Sequence, residues 1–275
     1  MRVVVGGVLM SSMLAWSLAP AQPPAEQTSP PAAGAWALVW ADEFEQDGHP
    51  DPEKWGYDVG GHGWGNNELQ FYTQRRLENA RVEGGRLRIE ARREAWEGRS
   101  YTSARLVTKG KGDWTYGRVE VRARLPRGRG SWPAIWMLPT TDAPMRWPDD
   151  GEIDIMEHVG FDHGVVHGSV HTRRYHHSVG TQKTGRIDVP DAAEAFHDYV
   201  IEWSPTHITW LVDGREYFRF DKEPGGQDVW PFDGPFHLVL NVAVGGNWGG
   251  QQGVDELSLP YVLEVEYVRV RQRGA

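Results

Sequence analysis

Three acidic side chains within six residues, Glu152, Asp154 and Glu157 in the run DGEIDIMEH, are the part of this chain best equipped for chemistry. In a regular strand Glu152 and Asp154 share a face with Met156, while Glu157 falls among Ile153 and Ile155 on the opposite one. Burying an unpaired carboxylate in a core costs several kcal/mol, so a regular ladder is disfavoured. A β-bulge at Ile155 or Met156 adds one residue and returns Glu157 to the face of the other two acids. The two glutamate Cα atoms are then roughly 13 Å apart along the strand. Long side chains leaning together can close that to the ~5 to 5.5 Å at which two carboxyls cleave a glycosidic bond with retention. Acid-rich strands also occur as charged sheet edges that resist aggregation. The apolar residues between these acids instead predict a central strand with one buried face.

A strand of this kind needs neighbours, and short alternating runs supply them: residues 86–92, 103–108, 116–126, 132–138, 165–172, 199–203, 207–212, 236–244 and 263–271. Asp213-Gly214, between HITWLV and REYFRF, is a two-residue hairpin signal, because both residues accept the positive φ of a type I′ turn. With 33 glycines, 18 prolines and almost no helical period, the chain predicts an all-β sandwich of two antiparallel sheets with a cleft across one outer face. The segment 191–196 is short enough for one helical turn and no more.

Composition narrows the partners. A net charge of -9 opposes nucleic acid and anionic membrane surfaces. The absence of cysteine excludes thiolate chemistry and a disulfide framework. Fourteen tryptophans exceed the needs of one core and suit a groove for the flat faces of sugars. Residues 1–21 read as a secretory signal peptide ending at Ala21, with a membrane anchor as the competing possibility. Residues 22–34 read as a Pro/Ala linker and 35–275 as one catalytic domain of ordinary all-β length. A secreted or periplasmic location follows, with no membrane contact after cleavage.

Collinear segments carry a resemblance: WADEF, GNNELQFYT, TSARLVTKG, YGRVEVRARLP, GSWPAIWMLP, DGEIDIMEH, VHGSVHT, LNVAVGGNWGG and EYVRV. In this order they resemble glycoside hydrolase family 16, and the two residues between Asp154 and Glu157 resemble its laminarinase-like members. The resemblance implies a β-jelly-roll with the cleft on its concave face, and endo-acting, retaining hydrolysis of β-1,3-glucan; a monomer is the separate expectation for its assembly. It makes Glu152 the nucleophile, Glu157 the acid and then base, and Asp154 the residue that tunes them, with no cofactor for catalysis. It also implies sugar contacts from Asn67, Arg105, Trp248 and His171, the last beside the acid.

Trp132 and Trp136 lie four apart on one predicted face, with Ala134 between them, and read as a substrate-binding platform for consecutive sugar rings rather than as core packing, because Ile135 and Met137 already supply an apolar opposite face. A structural calcium at Glu43, Gly85 and Glu266 is a further implication, although Glu266 stands where the family usually has Asp. Two other functions compete. Histidines 158, 163, 167, 171, 176 and 177 suggest a zinc site, but His167 and His171 are roughly 13 Å apart on a strand, too far for one ion. A glucan-binding protein without catalysis uses the same tryptophans but needs no acid pair. Mixed-linkage β-1,3-1,4-glucan and galactan backbones are alternative substrates.

Overall fold

The computed structural model describes residues 1–3 and 34–274. Apart from residues 1–3 and Gly34, the expected leader and linker lie outside them. Among the described residues no helix is long and apolar enough to cross a membrane. Two sheets face each other across one core. The cleft sheet runs in spatial order Lys183–Asp188, Val165–His171, Glu152–Glu157, Ser131–Pro139, Phe236–Val244, Arg105–Val107 and Gly56–Tyr57. The outer sheet runs Arg215–Asp221, His207–Val212, His197–Trp203, Gly117–Arg124, Tyr261–Arg273, Leu87–Trp96, Arg99–Ser103 and Gln70–Tyr72. Pairing is antiparallel except between the last two of these. Each predicted strand forms, with ends displaced by a few residues at most.

Alternation explains the layering. Along Gly117–Arg124 every second residue is buried, so Val119 and Val121 enter the core while Arg118, Glu120, Arg122 and Arg124 stay at the outer surface. Full burial of one such valine is worth about 1.5–3 kcal/mol, and a charge at Val121 would cost more than that. Ile153, Val170, Leu238 and Leu240 enter the same core from the cleft sheet. Asp213 and Gly214 take φ of 49° and 76° and join Val212 to its partner Arg215, as the hairpin signal predicts. Residues 191–196 form a turn on the Asp191 carbonyl rather than a helix.

On the outer face the two acids expected to hold calcium are engaged by arginines. Glu43 accepts two bonds from Arg269, at 2.7 and 2.8 Å, in a bidentate pair. Glu266 accepts from Arg122 at 2.8 Å and lies 3.5 Å from Arg86. Gly85 sits in a left-handed turn with φ of 73°. Carboxylates neutralised by guanidinium are poor calcium ligands, because the ion needs oxygen charge that the arginines already take up. The proposed donor set therefore does not fit calcium. Neighbouring cross-strand pairs, Arg118 with Glu202 and Arg88 with Glu264, extend the same arrangement over the sheet.

Candidate active site

The bulge forms where the acids require it. Asp154 pairs with Ser169 and Glu157 with His167, so three steps on one strand oppose two on the next. Against the other neighbour, Ile135 pairs with Met156 and Trp136 with Asp154, which passes over Ile155. Ile155 and Met156 are consecutive, yet both are buried in the core. Glu157 consequently emerges on the side of Glu152 and Asp154, and all three line one cleft of about 840 Å³. From the opposite sheet, the buried Trp210 donates its indole N–H to the Asp154 carbonyl at 2.7 Å. That bond pins the strand at its irregular point through the middle of the sandwich.

Each glutamate is held by a separate indole. Trp147 Nε1 donates to Glu152 Oε2 and Trp132 Nε1 to Glu157 Oε1, both at 3.0 Å. Asp154, 2% exposed, has Oδ2 3.2 Å from His171 Nε2, and the same nitrogen is 3.7 Å from Glu152 Oε1. Burial pushes Glu152, Asp154 and Glu157 up from the usual carboxyl range to about 8. The charge of Asp154 adds to this at both glutamates, while His171 opposes it. Three adjacent acids cannot all ionise cheaply, so the site retains protons near neutrality. A carboxyl that still holds its proton can act as an acid, and the one relieved by His171 and Trp147 can act as a nucleophile.

Other expected residues take varied positions. Arg105 is 8% exposed, sandwiched between Trp64 and Trp136 at 4.6 and 4.7 Å, and its Nε donates to Asp58 at 2.9 Å. Trp132, Ala134 and Trp136 share the cleft face, but the two indoles are not a plain platform. Trp132 is 9% exposed and meets Trp248 edge-on, while Trp136 backs Arg105 and donates to Asn241. Trp248 lines the cleft and also touches His167. His171 faces Glu152 across the strands, so it lies beside the expected nucleophile, and His167 is the histidine opposite Glu157. Asn67 has φ of 55° and bonds Asn247 at 2.8 Å; the cleft is lined by its neighbours Asn66 and Glu68.

Histidines 158, 163, 167, 171, 176 and 177 do not assemble a zinc site among the described residues. The one group of metal-competent donors there is Glu152, Asp154 and His171, which is the acid cluster itself. His158 is fully buried, accepts the Gly164 N–H at 3.2 Å, and has its pKa pushed down by burial to about 4. It is a structural histidine.

A sequence profile described as glycosyl hydrolases family 16 matches residues 66–267, which include the bulged strand and both indole donors. The chain belongs to this family. A beta-glucanase of Rhodothermus marinus is 63% identical over 242 residues, covering 86% of this chain and 85% of that protein. A glucan endo-1,3-beta-glucosidase of Cryptopygus antarcticus is 39% identical, covering 86% and 93%. The laminarinase structure from Rhodothermus marinus superposes with a TM-score of 0.86 at 61% identity, over 88% of this chain and 99% of the other. A non-specific endo-beta-1,3(4)-glucanase gives 0.83 at 48%, over 90% and 95%.

Several cleft residues of this family 16 enzyme escape a reading of strand patterns. Trp147 and Gln182 reach the cleft from loops and His177 from a three-residue 3-10 turn, where no period marks a facing side. Trp64 immediately precedes the GNNELQ segment and Glu68 lies within it beside Asn67, and their tryptophan and acid types were the available signal.

Proposed function

We propose that the chain is an endo-acting, retaining hydrolase of β-1,3-glucan that works by double displacement. The observation that carries this is the extra residue at Ile155–Met156, which puts Glu157 on the cleft face with Glu152. In the first step Glu157 protonates the leaving glycosidic oxygen as Glu152 attacks the anomeric carbon, forming a glycosyl ester. In the second, Glu157 takes a proton from the water that displaces Glu152, so two inversions restore the β configuration. Asp154 and His171 set the proton affinities and hold Glu152 in line. This chemistry needs no cofactor.

The substrate class is supported by relatives whose names specify β-1,3-glucan and by an aromatic cleft with Arg105 at one side. Mixed-linkage glucan is a second substrate on the strength of the 48% identical non-specific endo-beta-1,3(4)-glucanase. The test is incubation with laminarin-type and mixed-linkage glucans, with reducing ends, product sizes and the first anomer measured. The expected outcome is internal cutting with β-anomer released first, and near-complete loss of turnover in Glu152→Ala and Glu157→Ala with glucan binding intact. Initial α-anomer overturns the mechanism, and retention on glucan without reducing ends supports a binding protein instead. Export to the medium or periplasm, as a monomer after removal of residues 1–21, completes the proposal; the mass of the mature chain and light scattering test it.

A further inference from the structure

Beneath the cleft wall runs a one-way chain of hydrogen bonds that the hydrolytic steps do not use. Trp136 Nε1 donates to Asn241 Oδ1 at 2.7 Å, and Asn241 Nδ2 donates to the Tyr72 hydroxyl at 2.9 Å. Tyr72 donates in turn to Glu68 Oε2 at 3.1 Å, where Gln70 Nε2 also arrives at 2.6 Å. An indole N–H can only donate, so Asn241 must turn its oxygen to Trp136 and its amide hydrogens to Tyr72. The tyrosine hydrogen is then left for the carboxylate. Each rotor is fixed by the one before it, and chains aligned in this way strengthen one another.

The chain joins parts of the molecule far apart in sequence. Glu68, Tyr72 and Asn241 are 6, 1 and 6% exposed, and Tyr72 does not line the cleft. Gln70 Oε1 accepts the Val244 N–H at 2.8 Å, and Glu68 pairs with Gly245 at the base of the loop that carries Trp248. At the other end Trp136 backs the Arg105 guanidinium, which Trp64 covers from its opposite face. Burial and the Glu68 charge hold the Tyr72 phenol well above its ordinary pKa, so it stays a donor.

We propose that Tyr72 is a positioning residue whose hydroxyl, linking Glu68 to Asn241, fixes Trp136 and hence the Arg105 stack against which sugar rings rest. It acts on substrate binding in this arm of the cleft and not on the carboxyls that break the bond. The proposal rests on the β-glucan hydrolase assignment above.

Tyr72→Phe removes the link and keeps the ring. Tyr199→Phe is the control, since the Tyr199 hydroxyl is buried with no hydrogen-bond partner among the described residues. On soluble β-1,3-glucan, Tyr72→Phe is expected to raise KM by roughly three- to tenfold, the size of one net hydrogen bond, with kcat within about twofold of wild type. Glu68→Gln is expected to raise KM by a similar factor, and because the Glu68 charge also raises the pKa of Glu157 its kcat falls outside the comparison. Tyr199→Phe leaves both constants unchanged. A KM within about twofold of wild type in Tyr72→Phe overturns the proposal, as does a fall in kcat alone. If Tyr72→Phe does not fold, Glu68→Gln decides by KM alone: a value within about twofold of wild type overturns the proposal. Affinity electrophoresis in glucan gels gives the same comparison without turnover. An inactive wild type therefore rejects the hydrolase assignment, whereas an active one with unshifted variants rejects only the role of Tyr72.

Discussion

Trp132 donates its indole N–H to Glu157 Oε1 at 3.0 Å, from a position two residues before Ala134, the cross-strand partner of that glutamate. The bond reaches the carboxyl diagonally, as long aromatic side chains do across a pleated pair. It favours the charged form of Glu157, while burial favours the protonated form and prevails. Trp132 thus orients the acid and, together with burial, Asp154 and His171, sets its proton affinity.

Trp132→Phe should separate these two effects. Loss of a donor to the carboxylate raises the proton affinity of Glu157, so the alkaline limb of the kcat profile moves to higher pH. Freed of its anchor, the carboxyl spends less time in line, and kcat falls by roughly ten- to a hundredfold. A pH series of initial rates reads both; a limb that moves to lower pH contradicts the assignment.

Asp154→Asn has the opposite sign. Its negative charge raises both glutamates, so its removal lowers the pKa of Glu157 and shifts the alkaline limb to lower pH. The amide cannot match the aspartate charge beside His171, and kcat at neutral pH drops as well. Rates measured between pH 4 and 9 check the direction.

The acid cluster also bears on stability. Glu152 and Glu157 have folded pKa values of about 8 against an unfolded value near 4, so the folded state holds protons that the unfolded chain has released. Their cost is absent below the unfolded pKa and grows as pH rises toward 8. Glu152→Gln and Glu157→Gln should therefore melt higher than wild type at pH 8, with a smaller difference at pH 5. Calorimetry at the two pH values tests this, and equal differences would remove the pKa argument.

Chelation should leave the fold alone. Because Glu43 and Glu266 are engaged by Arg269 and Arg122, EDTA is expected to leave the melting temperature unchanged. Arg269→Met should lower stability by about 1 kcal/mol or less, since the pair is partly exposed, and added salt should shrink the difference. A fall in melting temperature on chelation, restored by calcium, would reinstate the metal site.

Much of the site is legible in the sequence. A carboxylate assigned to the core by alternation demands a bulge, and DGEIDIMEH holds both the demand and its solution within ten residues. The paired sheets follow from the two-residue period of runs such as VEVRA, and the hairpin at 213–214 from two residues tolerant of positive φ. Burial energy and backbone sterics act between near neighbours, so they leave marks that sequence preserves.

What tertiary structure alone decided involves partners with no such mark. The turn through Gly65 and Asn67, both at positive φ, left Asn66 rather than Asn67 lining the cleft, a one-residue choice that side-chain type does not encode. Trp147 reaches Glu152 from a loop, Arg269 crosses to Glu43 where an ion was expected, and Trp136 and Glu68 connect through residues 72 and 241. Sequence determined which face of each strand is wet. Which polar atoms meet there depends on how two curved surfaces pack, because a hydrogen bond forms over about 3 Å in space and is indifferent to separation along the chain.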